Sequence, residues 1–267
     1  MPALYPKIPH LPGSRTGPSD THVPEARARA YTERAREGLV VTVEEKLDGT
    51  SVVVARASEA VAYGRDGRRA EASRNLGRRL FARWVRENES RFMELLGEGE
   101  RIAGEWLAIA HGTRYALSHE PFVPFDLFLA DGARVSRPVL AQRCGQVGLV
   151  VPYLVHSGAA LAIAEADRRL GPRGHHGADV AEGLVYREET RDLCRSIAKV
   201  VRATKVDGAL LADHTGGDHV FCTWPGSLAW LRAALSEDPE GRLGTASIFD
   251  APLEPSLSPS CSPPIDP

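Results

Sequence analysis

Apolar and polar positions alternate, or cluster in short apolar runs, over seven stretches of the chain: residues 39–46, 51–57, 101–109, 122–129, 147–155, 183–187 and 197–202. Each stretch is rich in β-branched or aromatic side chains and is bounded by Gly, Pro or Asp, the pattern of a strand. A longer period appears between them. Leu76, Leu80 and Trp84, then Phe92, Leu95 and Leu96, fall at helical spacing, and apolar positions across 159–170 and 227–235 do the same. Strands in twos and threes separated by helices predict an α+β fold rather than a regular βαβ alternation. No internal repeat is visible.

Prolines mark the two ends. Residues 1–24 hold six of the 19, and residues 251–267 hold another six. The Pro/Ser-rich stretch 251–267 predicts disorder. Residues 1–35 predict an N-terminal extended arm whose Tyr5, Ile8 and Leu11 pack on the core. Over the whole chain, 43% hydrophobic and 25% charged residues exclude a largely disordered protein. No apolar run is long enough to span a membrane, and the opening residues lack the apolar core of a signal peptide. A cytoplasmic protein without membrane association is therefore expected. The four cysteines (Cys144, Cys194, Cys222, Cys261) are never spaced as CxxC, which argues against a zinc knuckle and for reduced thiols.

Charge adds one informative skew. Of the 33 basic residues only Lys7, Lys46, Lys199 and Lys205 are lysines; the rest are arginines. Arginine keeps its proton in a protein, whereas lysine can lose it and act as a nitrogen nucleophile, so each lysine is a candidate for chemistry. The net charge is −2, but residues 65–91 carry nine arginines against four acids. That run (Arg68, Arg69, Arg74, Arg78, Arg79, Arg83 and Arg86 among them) reads equally as a solvated helix face or as a surface that tracks phosphates. His175 and His176 lie in a Gly-rich stretch with no third ligand at metal spacing, and a solvated loop is expected there.

The segment Glu44-Glu45-Lys46-Leu47-Asp48-Gly49-Thr50-Ser51 reads as strand, tight Asp-Gly hairpin turn and strand, with Lys46 at the end of the first strand. Taken alone it is either a plain hairpin with a solvated lysine or a lysine aimed into a cavity. Glu45-Lys46-Leu47-Asp48-Gly49 resembles the KxDG motif of the covalent nucleotidyltransferases: ATP-dependent DNA ligases, RNA ligases and mRNA capping enzymes. Similar companions follow in order. They are Tyr63-Gly64-Arg65, Gly104-Glu105-Trp106, Phe125-Asp126, Glu182-Gly183 and Ala198-Lys199-Val200.

The resemblance implies a nucleotidyltransferase fold of antiparallel sheets with flanking helices over residues 36–205, followed by a small, partly helical appendage over 206–250. Ser51 resembles the RNA-ligase branch, and the residues after Lys199 read as loop and helix, so no OB-fold is expected. The function implied is an ATP-dependent RNA ligase, acting in RNA repair, that joins 5′-phosphate and 3′-hydroxyl RNA ends through lysyl-AMP. The alternatives are a DNA ligase adenylation domain lacking its OB-fold, or a nucleotide-binding module that seals nothing. Catalysis is implied for Lys46 and Lys199, and nucleotide contact for Glu45, Lys46, Asp48, Gly49, Arg65, Glu105, Phe125, Lys199 and Arg202. Glu182 is the implied metal ligand, for Mg2+ or Mn2+. One departure stands out: the family's last motif carries a second lysine where this chain has Val201. Arg202, the nearer, is the expected substitute, ahead of Lys205.

Overall fold

The computed structural model describes residues 3–237. In chain order the elements are α1 (Glu25–Thr32), β1 (Val40–Lys46), β2 (Thr50–Arg56), β3 (Ala60–Gly64), α2 (Leu76–Glu87), α3 (Glu89–Leu95), β4 (Arg101–Trp106), β5 (Phe122–Phe128), α4 (Arg137–Gln146), β6 (Leu154–Gly158), α5 (Ile163–Leu170), β7 (Gly183–Glu189), β8 (Cys194–Val201), α6 (Ala212–Thr215) and α7 (Ser227–Ser236). The strands form two four-stranded sheets, ordered β6-β1-β7-β8 and β3-β2-β4-β5, and their ladders are antiparallel. The α+β expectation holds. Among the described residues, no helix is long and apolar enough to cross a membrane.

Strand alternation decides what each sheet face meets. Val41 and Val43 of β1, Leu184 and Tyr186 of β7, and Ala198 and Val200 of β8 share one face, buried with Leu161, Ala166 and Leu170 from the α5 side. Val52 and Val54 of β2, Ile102 and Trp106 of β4, and Leu127 of β5 are buried with Leu80, Phe81 and Trp84 of α2. With the apolar faces given to helices, the remaining faces meet one another, and they carry charge. Arg187 of β7, 1% exposed, donates to Asp126 of β5 at 2.6 Å and to Glu189 at 2.8 Å, and its Nη1 lies 3.7 Å from Glu44. Tyr5 closes this network from the arm, its hydroxyl 2.5 Å from Asp126 Oδ2. Arg137 also pairs with Glu44 at 2.9 Å and Arg134 lies 3.4 Å from Asp126, but only Arg187 reaches all three buried carboxylates, and removing it leaves them under-compensated. Arg187→Ala is expected to cost about 3–5 kcal/mol of stability, read as a lowered urea midpoint at unchanged m-value.

Several elements depart from the sequence pattern. The Asp48-Gly49 hairpin is absent: β1 pairs with β6 and β7, β2 pairs with β3 and β4, and the chain crosses from one sheet to the other at this point. Gly49 is needed for space instead. A Cβ there would lie 2.6 Å from the Trp106 carbonyl oxygen and 2.9 Å from Leu107 Cδ2. The strand expected over 147–155 starts only at Leu154, because Gly148 takes a φ of +72° and Pro152 has no N–H to offer a ladder. Strand β3 and helices α1 and α4 were not expected. In α4 the proline acts as a first-turn residue, where its missing N–H is harmless, rather than as a breaker.

The arm is extended where it meets the sheet. Lys199 N–H donates to Pro9 O at 3.0 Å, Leu11 N–H to Lys199 O at 2.9 Å, and Arg15 N–H to Val201 O at 3.0 Å, so the arm runs along β8 as an added edge. It becomes helical at α1. After β8 come α6 and α7, tied back by isolated bridges such as Ile109↔Phe221, and no laddered strand follows among the described residues. The tail expected to be disordered, 251–267, lies outside the described residues.

Candidate active site

A cavity of about 390 Å³ opens between the two charged sheet faces. Lys46 enters it from the end of β1, opposite Gly183 of β7 in register. Its amine donates to Glu182 Oε2 at 2.5 Å. Burial pulls the Lys46 pKa down, but Glu182, Glu105 and Asp48 outweigh it and hold the amine above the ordinary lysine value. In the free chain Lys46 is therefore held protonated.

The turn after Lys46 is fixed from both ends. Asp48 N–H donates to the Tyr115 hydroxyl at 2.9 Å, and Asp48 Oδ2 accepts from Gly112 N–H and from Lys205 Nζ, each at 2.9 Å. Gly49 N–H donates to Glu105 Oε1 at 3.1 Å, which holds the β4 carboxylate at the cavity wall. Burial pushes the Glu105 carboxyl up to about 8. Phe125, half-buried, lines the wall edge-on to Tyr5 of the arm, with centroids 5.1 Å apart.

Register also sets the cations. Glu44 pairs with Val185 and Val185 with Lys199, so Lys199 shares the cavity face of its sheet with Glu44 and Lys46. The Lys199 amine has neither a hydrogen bond nor an ion pair among the described residues; burial, then the charge of Lys46, lowers its pKa. Arg65, exposed just beyond β3, also lines the cavity, and its guanidinium has no partner among the described residues. Two cations without partners beside a cavity are an anion-binding arrangement.

Glu182 supplies hard oxygen donors, the chemistry that Mg2+ or Mn2+ takes. Among the described residues no group of three or more His, Cys, Asp or Glu is placed to hold a metal unaided. One carboxylate fits a divalent ion whose remaining ligands are phosphates and water. A resident, all-protein cage is not what these residues build.

Other sequence expectations are redirected. Glu45 borders the cavity, but its carboxylate points across the strand and accepts from His175 N–H at 2.9 Å; burial pushes it up to about 7. The Gly-rich stretch is therefore not a freely solvated loop, and His176 is buried with Nδ1 3.1 Å from His119 Nε2. Arg202 does not face the site. Its guanidinium pairs with Asp167 at 2.8 Å and donates to the carbonyls of Gly171 and Pro172 at 2.6 and 2.7 Å, because it follows Val201 on the opposite face of the sheet. Lys205 reaches the site's supports instead: 5% exposed, it bonds Asp48 and the Thr113 hydroxyl. Sequence reasoning missed Arg187, which lines the cavity together with Tyr5. Alternation from Gly183 and Val185 was the one signal that placed Arg187 on this face.

The RNA ligase family model matches residues 39–201, more than half of the chain. No curated protein matches. Among solved structures, an archaeal ATP-dependent RNA ligase (form 2) aligns with a TM-score of 0.50 at 22% identity, over 74% of this chain and 48% of that one. A mutant Naegleria gruberi RNA ligase with ATP and Mn aligns with a TM-score of 0.49 at 19% identity, over 62% and 51%. The chain thus spans about half the length of these structures. The match across 39–201 carries every cavity residue from Lys46 to Lys199, and by it the chain belongs to the RNA ligase family.

Proposed function

We propose that the chain is an ATP-dependent RNA ligase that works through lysyl-AMP on Lys46. The observation that carries the reading is one cavity holding a half-buried lysine amine, two cations unpartnered among the described residues, a carboxylate and an aromatic ring. Lys46 Nζ, once deprotonated, attacks the α-phosphorus of ATP, a P–N bond forms, and the bond to pyrophosphate breaks. AMP then passes to a 5′-phosphate on RNA, and a 3′-hydroxyl displaces AMP to close the phosphodiester. Lys199 and Arg65 offset phosphate charge, Glu105 accepts from the ribose hydroxyls, and Phe125 offers a face to the base. A divalent ion, Mg2+ or Mn2+, held by Glu182 and the phosphates would offset further charge. The adenylating unit spans residues 36–205, flanked by the arm and the appendage, and the role is RNA repair in the cytoplasm.

Incubation with labelled ATP and Mg2+ or Mn2+, then sealing assays on nicked RNA and nicked DNA, tests this. A label on Lys46 with RNA sealing supports it. DNA sealing alone makes the chain a DNA ligase, and no label at all makes it a binding module. Glu105→Ala and Phe125→Ala should each weaken ATP binding by about 1–3 kcal/mol, through lost hydroxyl contacts and lost stacking. Titration calorimetry with ATP reads both, and parental affinity in both variants sinks the pocket assignment.

A further inference from the structure

Just outside the cavity, the rings of Tyr153 and His175 lie face to face, with centroids 4.4 Å apart and planes 11° from parallel. Both side chains are exposed, Tyr153 at 39%, so the stack contributes little to the core. It is nevertheless firmly placed. Glu45 N–H donates to Tyr153 O at 3.0 Å, and His175 N–H donates to Glu45 Oε2 at 2.9 Å. Glu45 directly precedes Lys46, and both Glu45 and Pro152, the neighbour of Tyr153, border the cavity. One residue thus ties both rings to the cavity rim.

An exposed flat stack at the rim of a phosphate-binding cleft suits a ligand that is itself flat and follows a phosphate. A nucleobase is such a ligand, since every base has a π-face whatever its sequence. The local charge agrees with this. Arg173, two residues before His175, is exposed and forms no ion pair among the described residues. Arg114, whose carbonyl accepts from Ala178 N–H of the same loop, is already spent on Asp179 at 2.7 Å.

We propose that the Tyr153–His175 stack is a platform for an unpaired base of the RNA strand whose end enters the cleft, with Arg173 supplying charge for that strand's backbone. The inference rests on the RNA-ligase reading above. The platform is a substrate contact outside the nucleotide site, so it governs RNA affinity and leaves the transfer of AMP to Lys46 untouched.

Fluorescence anisotropy of the full chain with a short, labelled, 5′-phosphorylated single-stranded RNA tests it. Tyr153→Ala and His175→Ala should each weaken binding about tenfold. Tyr153→Phe should bind like the parent, because the ring is kept. His175→Ala keeps the backbone N–H that holds Glu45, so the loop stays in place. Labelling of Lys46 by ATP should be unchanged in all three, which also reports that they fold. Parental RNA affinity in both alanine variants overturns the platform, and so does a Tyr153→Phe loss as large as that of Tyr153→Ala. A change in oligomeric state at constant RNA affinity overturns it as well, by making the face a protein contact. If the parent takes up AMP and binds no RNA, the RNA-ligase reading itself fails, and the platform with it.

Discussion

Lys46→Arg is expected to fold like the parent chain and to take up no AMP from labelled ATP. The guanidinium keeps the charge and a partner for Glu182, but it cannot give up a proton to become a nucleophile. The same argument fixes the pH dependence of the parent. Glu182, 2.5 Å away, together with Glu105 and Asp48, holds the Lys46 amine above the ordinary lysine value against the opposing pull of burial. Only the neutral amine attacks, so a raised pKa means less nucleophile at neutral pH, and adduct formation should climb by about tenfold per pH unit between about pH 6 and 9. Quenched single-turnover reactions read by intact-protein mass measure both. A flat profile would mean that a step other than attack by this amine limits the rate. An adduct on the arginine variant at the parental rate would move the nucleophile, with Lys199 the next candidate.

What the sequence made legible was mostly a matter of faces. Once Lys46, Glu105 and Lys199 are placed on strands, a period of two decides which side of a sheet each takes, and the two sheets bring those sides together. What it hid was pairing. Asp-Gly after a strand reads as a hairpin, yet whether β1 and β2 join each other or two different sheets depends on β4, β6 and β7, residues far along the chain. The glycine is required by the nearness of Trp106 and Leu107, which no local pattern reports. Arg202 misled for a related reason. Its position one residue beyond Val201 put it near in sequence, but alternation turned it toward the carbonyls after α5, while Lys205 came back from the following loop to Asp48. The Tyr5–Asp126–Arg187 network joins the arm and both sheets, and its members are too far apart in sequence for spacing to connect them.

Lys199→Ala is expected to slow adduct formation about 10²- to 10³-fold while changing ATP affinity much less. In the free chain the Lys199 amine has no hydrogen bond or ion pair among the described residues, so its removal breaks nothing that holds the fold. Its backbone, bonded to Pro9 and Leu11, is untouched by the substitution. The amine stands half-buried on the cavity face shared with Lys46, where burial and that neighbour already disfavour its charge. An anion in the cavity relieves that cost, and the relief is greatest when negative charge accumulates on the phosphates in the transition state. The loss should therefore fall on the rate constant at saturating ATP, with calorimetry showing ATP still bound. Equal losses in rate and affinity would mean that Lys199 grips the ground state and the transition state alike. Arg202→Ala gives the internal comparison: its guanidinium is spent on Asp167 and the carbonyls of Gly171 and Pro172, so adduct formation should continue at the parental rate. If Arg202→Ala abolished the adduct and Lys199→Ala did not, the catalytic face of β8 would be the opposite one.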